Sequence, residues 1–165
     1  MIPGKEALKK LILGVTTPRF QQTLRRAYLT RRVSKMQGYR EPEMELLTSL
    51  VKAGDSVADI GANVGAYTVQ LSILAGPSGH VYSFEPILEN YEILESVVKK
   101  ARLLNVSTFR AALGEKQSKS EMVVPNLGGF TGYYWAHFAK AGESGQHQMV
   151  NVCRLDDLWK EKTVP

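Results

Sequence analysis

Apolar positions in the middle of the chain alternate between short strand-like runs and longer helical stripes. The short runs predict strands at 56–60, 80–84 and 106–112. The stripes between them predict helices at about 66–75 and 87–103. A strand–helix–strand–helix–strand order at this spacing is typical of parallel strands joined by right-handed crossovers. The pattern therefore predicts an α/β domain with a parallel sheet.

The rhythm changes after residue 115. A short strand is predicted at 120–124 and another at 149–155, and a helical turn opens at Asp156. The segment between the two strands, 126–148, is rich in Gly, Ser and aromatic residues. A pair of strands around a long loop fits this stretch better than a further crossover unit.

Three more helical patterns precede the first strand, at 5–13, 19–35 and 41–53. The net positive charge of the chain comes from the first part of this region. Residues 1–37 carry nine Lys or Arg and one Glu, a net +8, whereas the rest of the chain carries 12 basic and 15 acidic residues, a net −3. We therefore interpret residues 1–37 as a basic helical appendage and residues 38–165 as a mildly acidic main domain.

The helix predicted at 19–35 has an apolar face made by Phe20, Leu24, Tyr28 and, more loosely, Val33. Three interpretations are open. The helix docks on the domain through this face with its arginines in solvent, or it contacts anionic lipid or another acidic partner, or it contacts nucleic acid. No nucleic-acid motif or interleaving of aromatic and basic residues supports the third interpretation.

Length and composition exclude several classes of protein. A chain of 165 residues with 44% hydrophobic residues indicates one domain with a real core. No apolar run approaches the roughly 18 residues of a membrane helix, and no signal-peptide pattern is evident. Cys153 is the single cysteine, which excludes an intramolecular disulfide, and no Cys/His cluster has metal-ligand spacing. We expect a cytoplasmic protein without a metal site.

The first predicted strand leads into a glycine-rich turn with the sequence Gly61-Ala62-Asn63-Val64-Gly65. Such a turn brings backbone N–H groups and the positive end of a helix beside a ligand, and glycines allow the backbone to approach it closely. A dinucleotide fingerprint that starts at Gly61 requires glycines at 63 and 66, where this chain has Asn63 and Ala66. The spacing therefore disfavours a nicotinamide oxidoreductase.

With these residues in view, the chain resembles the FkbM-like branch of class I S-adenosyl-L-methionine (SAM) methyltransferases. The matching pieces cover roughly 39–158 in family order: Tyr39-Arg40-Glu41-Pro42-Glu43, Asp59-Ile60-Gly61-Ala62-Asn63-Val64-Gly65-Ala66-Tyr67-Thr68, Phe84-Glu85-Pro86 with Asn90, Ala111-Ala112-Leu113-Gly114, and Leu155-Asp156-Asp157-Leu158.

The resemblance implies a Rossmann-like, doubly wound parallel sheet and SAM as the cofactor. It also implies O-methylation of a small-molecule or sugar hydroxyl. In the family a fourth parallel strand follows the Leu-Asp-Asp-Leu segment, and this sequence ends at Pro165. We therefore expect residues 38–165 to be the N-terminal part of the methyltransferase domain, with the C-terminal half missing. The alternative is a non-catalytic SAM-binding module or a basic-armed interaction module.

The resemblance assigns the methionine end of SAM to Gly61, Ala62, Asn63 and Gly65, whose N–H groups would point toward its carboxylate. Asp59 would either order this turn or receive the ammonium group. Glu85 comes 24 residues after Gly61, where a carboxylate accepts both ribose hydroxyls. A plain tight turn and a solvent-facing strand-end acid are the alternatives.

Further positions are assigned mostly by the resemblance. Pro86 would contact the cofactor, and the strand end at 110–112, with Ala111 and Ala112, would lie near the adenine. Thr68 would either bond the SAM carboxylate or pack inside the helix. Glu41 would either close over the cofactor or simply begin a helix.

The aromatic loop offers an acceptor pocket lined by His137, Tyr133, Tyr134 and Trp135, or else only loop packing. No general base can be assigned from the sequence. His80 and His147 receive no role, and we interpret Cys153 as a small core residue.

Overall fold

A three-stranded parallel sheet forms the centre of the fold. The computed structural model of the chain describes residues 17–36, 42–127 and 130–160. The strands β1 (Ser56–Ile60), β2 (His80–Phe84) and β3 (Val106–Phe109) lie side by side in the order β1-β2-β3. This is the first half of a doubly wound order. It confirms the predicted α/β class and the Rossmann-like parallel arrangement.

Four helices accompany this sheet. They are α1 (Pro18–Val33), α2 (Pro42–Leu50), α3 (Ala66–Ala75) and α4 (Leu88–Ala101). Helices α3 and α4 are the two predicted crossovers. Gly65 begins α3 with φ at 90°, and Gly76 ends it with φ at 65°, a backbone region that glycine adopts without a steric penalty. The glycines therefore set both ends of the first crossover helix.

Strand alternation gives the sheet two different faces. Asp59 and Ser83 are paired across β1 and β2, and both point to the buried helix side. On the opposite side the ring of Phe84 stacks on that of Phe109 at 4.8 Å, and Ile60 is 62% exposed. The helix face thus supplies the main core, in which Val64, Val69, Ile93 and Val97 pack together.

A second sheet follows, built from β4 (Ala112–Leu113), β5 (Ser118–Val124), β8 (His137–Phe138) and β9 (Gln146–Cys153) in the order β4-β9-β5-β8. β5 and β9 pair in antiparallel fashion, which confirms the predicted strand pair. The remaining short elements are a hairpin of β6 (Asn126–Leu127) with β7 (Phe130–Thr131), a 3-10 helix at Tyr133–Trp135, and α5 (Leu155–Lys160).

The single strand predicted at 106–112 is wrong. β3 ends at Phe109, whose carbonyl accepts the last bond of the ladder from the N–H of Glu85 over 3.0 Å. The chain then leaves the first sheet, and Ala112 pairs with Val152 of the second sheet. The sequence of this segment does not reveal such a change of partner, because both of its parts form strands and the partner strands lie elsewhere in the chain.

The predicted docking of α1 on the domain is confirmed, but its orientation is the reverse of the one predicted. Arg25 and Arg26 face α4, while Phe20, Leu24 and Tyr28 are 50%, 48% and 60% exposed. The arginines face inward because α4 offers them hydrogen-bond acceptors. Val33 is fully buried, as predicted. The helix predicted at 5–13 and the proposed contact of Glu41 lie outside the described residues.

None of the described helices is both long enough and apolar enough to span a bilayer.

Candidate functional site

The turn between β1 and α3 adopts the backbone that its glycines suggest. Gly61, Asn63 and Gly65 have positive φ angles of 78°, 52° and 90°. The N–H groups of Gly61 and Ala62 both donate to the carbonyl of Phe84 over 2.9 Å, and that of Gly65 donates to the Ala62 carbonyl over 2.8 Å. The turn is thereby tied to the end of β2.

These bonds change one detail of the prediction. The N–H of Asn63 is also occupied, since it donates to the Glu85 carboxylate over 2.8 Å. All four N–H groups assigned to the SAM carboxylate therefore have partners within the protein. Sequence reasoning missed this because three of the acceptor contacts are to Phe84 and Glu85, more than 20 positions away, and only the Gly65 N–H bonds within the turn.

The two glycines of the turn meet different surroundings. A Cβ atom added at Gly61 would meet no protein atom within 4 Å, so this position borders open space. A Cβ atom at Gly65 would lie 2.8 Å from Cδ1 of Leu94 on α4. Gly61 leaves room beside the turn for a ligand, whereas Gly65 allows α3 and α4 to pack closely.

Glu85 follows β2 and is only 4% exposed. Besides the Asn63 N–H, its carboxylate accepts the N–H of Ile87 over 2.9 Å and a hydrogen bond from the Asn90 side chain. Burial raises the pKa of Glu85, and these hydrogen bonds and the neighbouring Asp59 charge modify it less. A carboxylate has about four acceptor positions, so Glu85 holds two turns together and retains capacity for one further donor.

Asp59, at the end of β1, is 9% exposed. Its carboxylate accepts the Thr68 hydroxyl over 2.6 Å, and the same hydroxyl lies 3.1 Å from that of Ser83. Thr68 is fully buried, so it packs between helix and sheet and does not face the turn. The hydroxyl contact of Thr68 with Asp59 agrees with the alternative in which Thr68 packs inside the helix. Burial raises the pKa of Asp59, and the Thr68 hydrogen bond opposes that rise.

Asp59 and Glu85 make the carboxyl ends of β1 and β2 acidic. Within the described part of the chain no ion pair joins either carboxylate to Lys, Arg or His. Asn63 lies between these two residues in the sequence. Its side-chain oxygen is buried and has no hydrogen-bond partner. A ligand that carries a positive charge and hydroxyl donors matches this set of acceptors.

Asn90 connects this site to α1. It is 1% exposed, its side-chain oxygen accepts from Arg25 over 2.7 Å, and its amide donates to the Tyr133 carbonyl over 3.3 Å. The Arg25 guanidinium also lies 4.0 Å from the centre of the Tyr133 ring. Sequence reasoning gave Arg25 no role, because nothing local links it to a residue 65 positions away.

An open cleft of about 560 Å³ runs beside Pro86 and Arg110, between the end of the first sheet and β9. Pro86, which was predicted to contact the cofactor, and Arg110, which was predicted to lie near the adenine, therefore line one cleft. Ala111 and Ala112 follow Arg110 in the sequence and are buried, with 7% and 9% of their surface exposed. The cleft is lined by Pro86, Leu88, Glu89, Arg110, Lys119, Gln146, Gln148, Met149, Val150 and Asn151, so its lining does not include the glycine turn itself.

The aromatic loop is only partly available to an acceptor. Tyr133 packs in a core cluster, whereas Tyr134 and Trp135 are 55% and 63% exposed. His137 is exposed and pairs with Glu143 of the same loop over 2.7 Å. Tyr133 therefore follows the packing interpretation, whereas the rings of Tyr134 and Trp135 lie at the surface of the loop.

The chain is similar in sequence to known methyltransferases. The family model described as methyltransferase FkbM domain matches residues 59–165. A curated protein-L-isoaspartate O-methyltransferase of Methanothrix thermoacetophila is 39% identical over 57 residues. That alignment covers 34% of this chain and 27% of the relative, so the chain spans about a quarter of that protein's length.

Solved methyltransferase structures are similar to parts of the chain. An FkbM methyltransferase from Methylobacillus flagellatus is 15% identical with a TM-score of 0.42, and it covers 63% of this chain and 22% of its own. A SAM-dependent methyltransferase from Aquifex aeolicus is 26% identical with a TM-score of 0.41, covering 50% and 46%.

Proposed function

We propose that this chain, which belongs to the FkbM methyltransferase family, binds SAM beside the β1–α3 turn and serves methyl transfer. The observation that carries the proposal is the open space at Gly61, whose N–H donates to the carbonyl of Phe84 so that the strand ends with the buried carboxylates of Asp59 and Glu85 are neighbours. SAM presents an ammonium group, a sulfonium and a ribose diol. These groups suit acceptors such as Asp59 and Glu85.

The residues of the turn and of the two strand ends then have distinct roles. Asp59 is held by Thr68 and receives the ammonium group. Gly61 allows the close approach of the methionine end, and the unpartnered side-chain oxygen of Asn63 is a further acceptor there. Glu85 accepts one ribose hydroxyl at the acceptor position that its three protein donors leave open.

The adenosine end is proposed to extend into the cleft beside Pro86. The reason for this placement is that Pro86, the residue after Glu85, lines the cleft, and the cleft extends from there to Arg110, which follows β3. Ala111 and Ala112 would form its apolar edge through their position next to Arg110.

When bound, the cofactor supplies the activated methyl group and its leaving group. The protein's contribution is then mainly to align the acceptor with that methyl, and such positioning lowers barriers by roughly 7–11 kcal/mol. An oxygen acceptor also benefits from a base that takes its proton. We assign no base within the described residues.

The acceptor is proposed to be a hydroxyl of a small molecule or sugar, on the resemblance to the FkbM family alone. The second candidate is a module that binds SAM at the same turn without catalysis. Methyl-labelled SAM incubated with pooled glycosides separates the two, because only the enzyme transfers label to a hydroxyl.

Equilibrium dialysis of the chain against SAM and against NADH tests the cofactor class. We expect saturable binding of SAM and of S-adenosylhomocysteine, and no displacement of either by NADH. Binding of NADH in preference to SAM would contradict the proposal, and so would the absence of SAM binding by a folded chain.

A further inference from the structure

Helix α1 presents an apolar strip to solvent. Phe20, Leu24 and Tyr28 recur every four residues, which places them on one side of the helix. They are 50%, 48% and 60% exposed, and Ala27 between them is exposed as well. Isolated apolar residues are common on surfaces, but three large ones aligned on a single helix face form a patch.

The opposite side of α1 holds the helix in this orientation. Arg25 donates to Asn90 over 2.7 Å, and Arg26 contacts Glu92 over 3.1 Å and Ser96 over 2.9 Å. Val33 anchors the end of the helix in the core. The strip is therefore displayed by a docked helix, and the arginines that fix the helix leave its apolar face outward.

Positive charge surrounds the strip. Arg31 follows Tyr28 by three positions, and Arg31, Arg19 and Lys35 are exposed. Arg32 donates to the Tyr28 hydroxyl over 2.9 Å. The sequence has no Asp or Glu between Glu6 and Glu41. An apolar strip on a helix that carries several exposed cations and no acidic residue is typical of a helix that lies on an anionic membrane surface.

We propose that α1 is a lipid-docking element that places Phe20, Leu24 and Tyr28 into the interface of an anionic bilayer. The charge pattern decides between occupants. A second copy of the chain would bring two segments of net +8 together, and such like charges repel. Nucleic acid would satisfy the cations but leave a contiguous apolar strip in water. An anionic lipid surface satisfies both features.

Vesicle co-sedimentation of the full chain provides the test. Vesicles of phosphatidylcholine with phosphatidylserine should bind the chain, pure phosphatidylcholine vesicles should bind it far less, and added salt should weaken the binding. The variant Phe20→Ser/Leu24→Ser should bind about tenfold more weakly, because the strip no longer enters the interface. The variant Arg31→Gln/Lys35→Gln should bind anionic vesicles about fivefold more weakly for each charge that is removed.

The matched control is Ile73→Ser/Leu104→Ser, which removes two apolar side chains that are 62% and 95% exposed on α3 and after α4. It should bind anionic vesicles as the parent does, and circular dichroism should show that all variants are folded. The proposal is overturned if the parent fails to bind anionic vesicles, if pure phosphatidylcholine binds it equally, or if the control loses as much binding as Phe20→Ser/Leu24→Ser. Tight binding of a single-stranded RNA without vesicle binding would assign the surface to nucleic acid instead.

Discussion

The backbone N–H of Asn63 donates to the carboxylate of Glu85 across 2.8 Å and across 22 positions of sequence. This bond joins the turn that follows β1 to the turn that follows β2. Glu85 also accepts from Ile87 within its own turn. The residue proposed to hold the ribose therefore also fixes the shape of the space that the methionine end enters.

Replacing Glu85 with Ala should weaken SAM binding about ten- to hundredfold, because a hydrogen bond to a charged group contributes ~1.5–3 kcal/mol. The same change deprives the N–H groups of Asn63 and Ile87 of their acceptor, so stability should fall as well. Calorimetry and thermal melting measure the two effects.

The ribose contact itself is isolated by a second ligand. S-adenosylhomocysteine and its 2′,3′-dideoxy analogue should both suffer from a distorted turn, but only the diol loses a partner in Glu85→Ala. The preference for S-adenosylhomocysteine over its dideoxy analogue should therefore fall toward equal affinity in the variant. An unchanged ratio would restrict Glu85 to its structural role.

Thr68→Val should destabilise the fold by about 1–3 kcal/mol, because a buried carboxylate loses its hydroxyl donor. Asp59 would then be poorly placed for the ammonium group, so SAM affinity should fall too. Thr68→Ser keeps the hydroxyl and should recover most of both losses. Chemical denaturation measures the stability and calorimetry measures the SAM affinity. Equal values for Thr68→Val and Thr68→Ser would show that the Thr68 hydroxyl does not support Asp59.

Binding of SAM should strengthen as the pH rises. Burial raises the pKa of Asp59 above its ordinary 3.8 and that of Glu85 above 4.5. Between the ordinary and the raised values the folded state holds more protons than the unfolded one, so these groups stabilise the fold at low pH and lose that contribution as the pH rises through the raised pKa. A cationic ligand favours the ionised carboxylates, so its binding releases protons in this window.

Calorimetry in two buffers of different ionisation enthalpy measures that release. Asp59→Asn should release fewer protons, with the remainder assigned to Glu85. Proton uptake on binding, or a release that Asp59→Asn leaves unchanged, would contradict the role of Asp59.

Arg25→Met should lower SAM affinity several-fold, because Asn90 loses the partner that fixes its amide beside Glu85. Arg26→Met is the matched control on the same helix, since its ion pair with Glu92 is about half exposed on both sides and contributes little. Equal SAM affinities for the two variants would show that Arg25 only docks the helix.

Local patterns predicted β1, β2 and α3 to within a residue, because apolar runs and positive-φ glycines mark their ends. The break after Phe109 was not predictable, since the partner of Ala112 is chosen 40 positions later in the chain. The orientation of α1 was likewise hidden. An amphipathic helix usually buries its apolar face. Here Arg25 and Arg26 face α4 instead, because Asn90, Glu92 and Ser96 accept their hydrogen bonds.

Within the site, the sequence identified Asp59, Gly61 and Glu85 as neighbours of one turn, because parallel strand ends meet at one edge. It did not reveal that the turn's own N–H groups are occupied, nor that Thr68 points to Asp59. Both facts depend on tertiary hydrogen bonds for which periodicity carries no signal.

The central claim is that the space at Gly61 holds SAM, and a pair of glycine variants tests it most directly. Gly61 and Gly142 have φ angles of 78° and 76°, and a Cβ atom at either position meets nothing within 4 Å. Val therefore imposes similar backbone strain at both positions, but only Gly61→Val fills the proposed cofactor space. Calorimetry with SAM should show binding abolished in Gly61→Val and retained in Gly142→Val, whereas equal affinities of the two variants would contradict the account.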